Sequence, residues 1–85
     1  YLRMSIREEA LDILVKKAAS IFNLDPATLG AQTRFAEVLQ AKSVNYIQLS
    51  AALEDEFDVE VPFMEFKRKA TFGEAADYIA AMFGE

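Results

Sequence analysis

The sequence predicts an all-α fold, a small antiparallel four-helix bundle with three main helices, one short helix and a long loop between helices 1 and 2. Apolar residues recur at spacings of three and four in three separate segments, and the signature of a capping box precedes two of them. Chains divide into separate cores only at several times this length of 85 residues. We therefore expect residues 1–85 to form a single domain, with residues 1–4 as a disordered or non-native extension.

The first predicted helix spans Ser5 to Phe22. Ser5 can cap its start, with Glu8 three residues later as the capping-box partner. Asn23 and the Asp25-Pro26 pair end it, because the residue before a proline is driven out of helical geometry. Its apolar face consists of Ile6, Ala10, Ile13, Leu14, Ala18 and Ile21.

Residues 23–42 show no sustained period and contain Pro26 and Gly30, which indicates a connection of about twenty residues with one short turn of helix inside. Connections of this length in compact domains are usually functional or held by apolar anchors of their own. We expect the loop to fold against the core through Leu24, Leu29, Phe35, Val38 and Leu39.

The next predicted helix runs from Ser43, as N-cap, to Asp58, and Pro62 follows its end. At 100° per residue it has two apolar faces. The inner stripe, expected to face the core, contains Tyr46, Leu49, Leu53 and Phe57. The outer stripe, more than about 90° away, contains Val44, Ile47 and Ala51. Gln48 and Asp55 border it on one side and Glu54 on the other, a rimmed pattern that is typical of a binding surface.

Two further helices complete the bundle. Residues 63–69 are predicted as the short helix, with Phe63, Met64 and Phe66 turned inward and Lys67-Arg68-Lys69 at its C-terminal end. The last helix begins with a capping box of Thr71 and Glu74 and ends at Gly84. Its apolar positions are Phe72, Ala75, Ala76, Ile79, Ala80 and Phe83.

The composition excludes most catalytic chemistry. The chain has no histidine and no cysteine, so it lacks the usual general base, thiol nucleophile and zinc ligands. Its net charge of −5 repels the phosphates of nucleic acids, and its apolar runs are too short to span a bilayer. We predict a non-enzymatic, cytoplasmic monomer with no catalytic residues and no metal site, which neither binds nucleic acid nor inserts into a membrane.

Two features leave alternatives open. Ser43 begins a helix, so its hydroxyl serves either as an N-cap or as a point of covalent attachment, where the helix dipole favours a phosphate. The acidic run 54–60 lacks the glycine and the ligand alternation of a calcium-binding loop. It is therefore either a solvated helix face or an electrostatic docking surface for a basic partner.

Residues 33–62 together resemble the acyl carrier proteins. That family has a phenylalanine and a leucine in the long loop, a serine at the helix start, an acidic Leu-Glu-Glu-Glu-Phe segment and an Ile-Pro. The residues that match this pattern, with the same spacing and no gap, are Phe35, Leu39, Ser43, Leu49, Leu53, Glu54, Glu56, Phe57, Val61 and Pro62. Residues 71–79 are similar to the last helix of the family, so the resemblance covers essentially the whole chain.

The resemblance implies that Ser43 receives 4'-phosphopantetheine from coenzyme A through a phosphopantetheinyl transferase, and that the arm carries acyl groups as thioesters. It implies a bundle core that can shelter an acyl chain. It also implies delivery to acyl-loading and acyl-processing enzymes of fatty-acid, lipid or polyketide-type synthesis. The expected docking residues are Lys42, Val44, Ile47, Gln48, Ala51, Glu54 and Asp55. A peptidyl or aminoacyl carrier, and an unmodified helical docking module, are the alternatives.

The chain departs from the family pattern beside the serine. Lys42 stands where the family usually has aspartate, Val44 where it has leucine, and Asn45 and Gln48 where acids are common. Phe63 and Met64 likewise replace acids after the proline. These departures remove negative charge from the expected recognition face, which indicates a specialised carrier with partner enzymes of its own.

Overall fold

The computed structural model describes residues 4–39 and 43–85, and five α-helices make up most of them. These are α1 (Ile6–Phe22), α2 (Phe35–Leu39), α3 (Ser43–Phe57), α4 (Phe63–Lys67) and α5 (Phe72–Met82). The predicted all-α class, with three long helices and a short one between the second and third of them, is confirmed. The predicted long loop holds more structure than expected, because both a 3-10 helix at Pro26–Thr28 and the short helix α2 lie within it.

Helix α1 has the predicted caps at both ends. The Ser5 hydroxyl accepts a hydrogen bond from the backbone N–H of Glu8 at 3.1 Å, and the Ser5 N–H donates to the Glu8 carboxylate at 3.0 Å. At the other end Asn23 adopts the left-handed conformation, with φ of 55°, and its N–H donates to the carbonyl of Ala19. Ala10, Leu14 and Ala18 from the predicted apolar face are fully buried; Ile6, Ile13 and Ile21 pack at the edge of the core.

Four aromatic rings form the part of the core that lies between α2, α3, α4 and α5. We call Phe35, Tyr46, Phe66 and Phe72 the aromatic cluster; the three phenylalanines are fully buried and Tyr46 is 7% exposed. The ring of Phe35 lies 4.6 Å from that of Phe72 and 5.6 Å from those of Tyr46 and Phe66, between centroids. Rings at these distances are in direct contact, and burying each side chain stabilises the fold by about 1.5–3 kcal/mol.

The segment before α2 is joined to the start of α5 by backbone hydrogen bonds. The N–H of Phe35 donates to the carbonyl of Ala70 and the N–H of Phe72 to that of Thr33, both at 3.0 Å. A third bond, at 2.8 Å, runs from the N–H of Gly73 to the carbonyl of Ala31. The long loop is therefore held against the bundle, as predicted, but by main-chain pairing that side-chain patterning did not reveal.

The predicted anchors of this loop differ in their burial. Phe35 is fully buried, and Leu29 and Val38 pack against the core, as expected. The prediction for Leu24 is wrong, since its side chain is 41% exposed. Leu24 directly follows the left-handed Asn23, where the chain leaves the core-facing side of α1. The side chain of Leu39 lies outside the described residues.

Helix α4 buries only one of the three side chains that were predicted to face inward. Phe66 is fully buried and Phe63 half-buried, whereas Met64 is 65% exposed, so that prediction is wrong. At 100° per residue Met64 points about 160° away from Phe66, and a single short helix cannot bury both directions. The helix ends at Lys67, whose ammonium lies over the Phe63 ring.

Helix α5 begins with the predicted capping box, in which the Thr71 hydroxyl accepts from the N–H of Glu74 at 3.1 Å. Its apolar face is buried as predicted as far as Ala80. The prediction that Phe83 extends this face is wrong, because the helix ends at Met82 and Phe83 is 45% exposed. With the helix ended, the Phe83 ring instead packs at the surface, 5.8 Å from the ring of Phe57.

Candidate functional site

Ser43 is the first residue of the described helix α3, and its side chain is exposed. It was predicted as the N-cap; the structure gives it helical backbone as the first described residue of α3, and residues 40–42 before it lie outside the described residues. Helix starts leave backbone N–H groups without partners in the helix and carry a partial positive charge. The described first turn of α3 contains no acidic residue of its own.

The residues present at this position fit a phosphodiester-linked group. An exposed serine hydroxyl is a possible point of ester formation, and the end of a 15-residue helix favours a phosphate beside it. Lys42, the residue directly before Ser43, lies outside the described residues.

The outer stripe is exposed, as the sequence predicts. Val44 is 57% and Ile47 52% exposed, and Ala51 also faces solvent. The inner stripe is buried: Leu49 and Leu53 are inaccessible and Phe57 packs at the edge of the core. Helix α3 therefore presents one apolar face to the core and a second, narrower one to solvent.

The polar residues around the outer stripe have three different environments. Gln48 and Asp55 are exposed, as expected for the rim of a binding surface. Asn45, by contrast, is only 8% exposed, and its side-chain N–H donates to the Gln48 carbonyl oxygen at 3.0 Å. From the sequence, Asn45 was expected on the recognition face. Its helical angle, about 40° from Leu49, is the signal that it borders the inner stripe.

Glu54 is tied to the connection that follows α3. Its carboxylate accepts a hydrogen bond from the backbone N–H of Val61 at 2.8 Å, and its side chain is half-buried. At the helix end, Asp58 turns into the left-handed conformation with φ of 54°. This contact was not predicted from the sequence. The pattern that could have indicated it is a carboxylate one turn before a helix end, followed by a short connection to a buried valine.

The charges of α3 are strongly divided along its length. Residues 43–53 include no charged side chain, whereas Asp55, Glu56, Asp58 and Glu60 are exposed acids at its C-terminal end. Within the described ranges these carboxylates form no group suited to hold a metal ion. Burial raises the pKa of Tyr46 above its ordinary 10.0.

A shallow groove runs beside the outer stripe, between α1 and α3. It is lined by Lys17, Gln48, Ala51, Ala52 and Asp55.

In the part of the chain that the structure describes, none of the helices combines the length and the apolar character needed to cross a membrane.

Comparison with known proteins identifies the family to which the chain is similar. Residues 12–79 match the family described as "Phosphopantetheine attachment site". The chain is 30% identical over 76 residues to an acyl carrier protein of Wolinella succinogenes, an alignment that covers 89% of this chain and 95% of that protein. It is 30% identical over 76 residues to one of Bdellovibrio bacteriovorus, covering 89% and 92%. It is 31% identical over 74 residues to one of Chlorobium phaeobacteroides, covering 87% and 90%.

The resemblance carried by the residues between Phe35 and Pro62 is thereby confirmed. The matched segment includes the whole of α3 and most of α1 and α5, the three long helices of the bundle. The chain belongs to the acyl carrier protein family, whose members carry acyl groups on a covalently attached 4'-phosphopantetheine.

Proposed function

We propose that Ser43 is the residue to which 4'-phosphopantetheine is attached. The observation that carries this proposal is the position of its exposed hydroxyl at the start of a 15-residue helix, inside the segment that matches the family. The other serines are placed differently: Ser5 caps α1, Ser20 lies near the C-terminal end of α1, and the hydroxyl of the buried Ser50 donates to the carbonyl of Ile47.

The chain's own contribution is to present and to stabilise the point of attachment. On modification the Ser43 Oγ loses its proton and bonds to the phosphorus that carries the pantetheine of coenzyme A. The pyrophosphate bond of coenzyme A breaks, and adenosine 3',5'-bisphosphate leaves. The backbone N–H groups of the first turn of α3 would hold the phosphate, and the helix dipole would stabilise its negative charge by about 0.3–1 kcal/mol. When bound, the arm supplies a terminal thiol that forms a thioester with the acyl group. The chain has no cysteine and cannot supply such a thiol itself.

Intact-protein mass spectrometry tests the attachment directly. The protein is incubated with coenzyme A and several phosphopantetheinyl transferases, alongside Ser43→Ala and, as the matched control, Ser20→Ala, which removes another exposed serine hydroxyl. We expect a gain of one phosphopantetheine in the wild type and in Ser20→Ala and none in Ser43→Ala. A gain in Ser43→Ala would contradict the assignment, and no gain with any transferase would favour the unmodified docking module.

The surface around the outer stripe is the proposed contact for partner enzymes. We include Lys42, Val44, Ile47, Gln48, Ala51, Glu54 and Asp55, of which Lys42 lies outside the described residues. Among them, the exposed apolar groups lie nearest the serine and Asp55 lies towards the acidic end. The partner that suits this arrangement places apolar side chains over Val44 and Ile47 and basic ones over Asp55.

Substitution at one exposed apolar position tests the surface. Ile47→Glu places a carboxylate in the outer stripe, and Leu24→Glu makes the same change at a similarly exposed leucine outside α3. Loss of an apolar contact at the centre of an interface costs about 1.4 kcal/mol or more, which is about tenfold in affinity. We expect Ile47→Glu alone to weaken modification by the transferase or turnover by a loading enzyme. Equal effects of both variants would contradict the docking role.

The low negative charge beside Ser43 further supports a specialised carrier, with particular loading and processing enzymes as partners. We expect it to act as a cytoplasmic monomer without turnover of its own. Exchanging it for a general carrier in a reconstituted fatty-acid synthase tests the specialisation. Poorer turnover with this protein is expected, and equal turnover would rule out the proposed specialisation.

A further inference from the structure

The aromatic cluster includes Tyr46, which lies in the half of α3 that carries Ser43. Tyr46 follows Ser43 by three residues, and side chains at that spacing are neighbours on a helix surface. The Tyr46 ring points into the bundle, where it lies 5.6 Å from the ring of Phe35 and 6.3 Å from that of Phe66, between centroids. The Tyr46 ring, with that of Phe66 beside it, therefore occupies the interior along the first turns of α3.

The cluster is held from several elements at once. Phe35 is on α2, Tyr46 on α3, Phe66 on α4 and Phe72 on α5, and Phe35 contacts the other three rings. The backbone bonds between residues 33–35 and residues 70–72 fix the separation of Phe35 and Phe72, whose rings are stacked. One ring cannot move aside without disturbing its neighbours, because protein interiors are close-packed.

An acyl group carried at Ser43 meets this cluster if it turns toward the core. An alkyl chain leaves water readily when an apolar site is open to it. Entry beneath the first half of α3, however, requires room that the rings of Tyr46 and Phe66 already fill. Adding methylene groups to a packed core forces side chains out of their preferred rotamers and shifts the backbone.

We propose that Tyr46 and Phe66 determine which acyl groups this carrier holds, by keeping the carried group out of the bundle core. The inference rests on the proposed attachment at Ser43. The acyl group then remains on the outside of the bundle, beside the exposed outer stripe, with its thioester open to solvent and to partner enzymes. Acyl groups that suit such a position are short or polar, because a long alkyl chain stays in contact with water.

The susceptibility of the thioester to hydroxylamine tests this inference. The transferase is used to load Ser43 from butyryl- and octanoyl-coenzyme A, intact mass confirms the loading, and the loss of each acyl group in hydroxylamine is followed. We expect both groups on the wild-type carrier to be lost at the rates of the corresponding acyl-pantetheines. In Phe66→Ala, which opens space beneath α3, we expect loss of the octanoyl group to slow severalfold relative to the butyryl group.

Phe57→Ala is the matched control, since it removes an aromatic ring at the far end of α3, about 20 Å from Ser43 along the helix. It should behave as the wild type. Amide spectra of the wild type should also show no octanoyl-dependent shift at Leu49 or Phe35. If Phe66→Ala does not fold, these spectra and the hydroxylamine assay on Tyr46→Leu test the inference in its place.

The outcomes separate the two proposals. Absence of any gain in mass at Ser43 would overturn the attachment and this inference with it. Normal loading, followed by protection of the octanoyl thioester or by shifts at core amides in the wild type, would overturn the inference alone. Equal loss of both acyl groups from a folded Phe66→Ala would show that this ring does not exclude the acyl chain.

Discussion

Gly73 is the position at which the structure most clearly opposes what helix propensity predicts. It lies in the first turn of α5 and is buried, and its N–H donates to the carbonyl of Ala31 at 2.8 Å. In a helix, alanine is more favourable than glycine by about 1 kcal/mol. Propensity alone therefore predicts that Gly73→Ala stabilises the protein.

The surroundings of Gly73 predict the opposite sign. A Cβ added there would lie 2.8 Å from the carbonyl oxygen of Ala31 and 3.1 Å from the Ala31 Cβ. The first atom belongs to the backbone, so it cannot move aside as the end of a flexible side chain would. Overpacking of this kind costs about 1–3 kcal/mol, and weakening the hydrogen bond to Ala31 adds about 1 kcal/mol. After the gain in propensity, we expect a net loss of about 1–3 kcal/mol.

Gly30→Ala is the matched control, because a Cβ at Gly30 would meet nothing within 4 Å. This change should be neutral or stabilise the protein by about 0.4–1 kcal/mol through the unfolded chain. Urea unfolding followed by circular dichroism measures the free energy of unfolding of both variants. In thermal unfolding, each 1 kcal/mol corresponds to about 4–8 °C in Tm for a domain of this size. A Gly73→Ala protein more stable than the wild type would refute the reasoning from packing.

Three further predictions concern stability. Glu54→Gln weakens the acceptor for the N–H of Val61, so urea unfolding should show a loss of about 1 kcal/mol, against less than about 0.5 kcal/mol for the exposed Glu56→Gln. Hydrogen bonds from Ser5 lower the pKa of Glu8 below its ordinary 4.5. The ionised Glu8 carboxylate therefore stabilises the folded state, and this contribution is lost as the pH falls through the folded-state pKa. Glu8→Gln should therefore flatten the acid limb of the curve of stability against pH; an unchanged slope would contradict this. Phe35→Ala removes a fully buried ring and should cost about 3–5 kcal/mol by the same urea assay; a smaller loss than for an exposed aromatic would contradict it.

Features that depend on neighbours along the chain were predictable from the sequence. Both capping boxes, at Ser5 and at Thr71, follow from residue types three positions apart, and both form as expected. The two stripes of α3 follow from a fixed rotation per residue, and their burial and exposure agree with that rotation. The family resemblance rests on the same local order, since the matching residues keep their spacing through α3.

Features that depend on residues far apart in the chain were not predictable. Met64 and Phe83 continue an apolar pattern, yet both are exposed, because the pattern does not specify where a short helix stops or which neighbours remain to cover it. The pairing of residues 33–35 with 70–72 involves main-chain groups, which carry no sequence signal of their own. Asn45 and Glu54 were both assigned to the exposed face, and their hydrogen bonds depend on the packing around them.

The sequence by itself determined the fold class, the capped starts of α1 and α5, the candidate serine and the absence of a thiol, because these depend on composition and on spacing within a few residues. Only the tertiary structure decided that four rings from four helices meet in one cluster. Phe35 and Phe72 are 37 positions apart, and no local pattern brings them together. Their contact depends on how the helices pack, which is a property of the whole chain's close-packed interior.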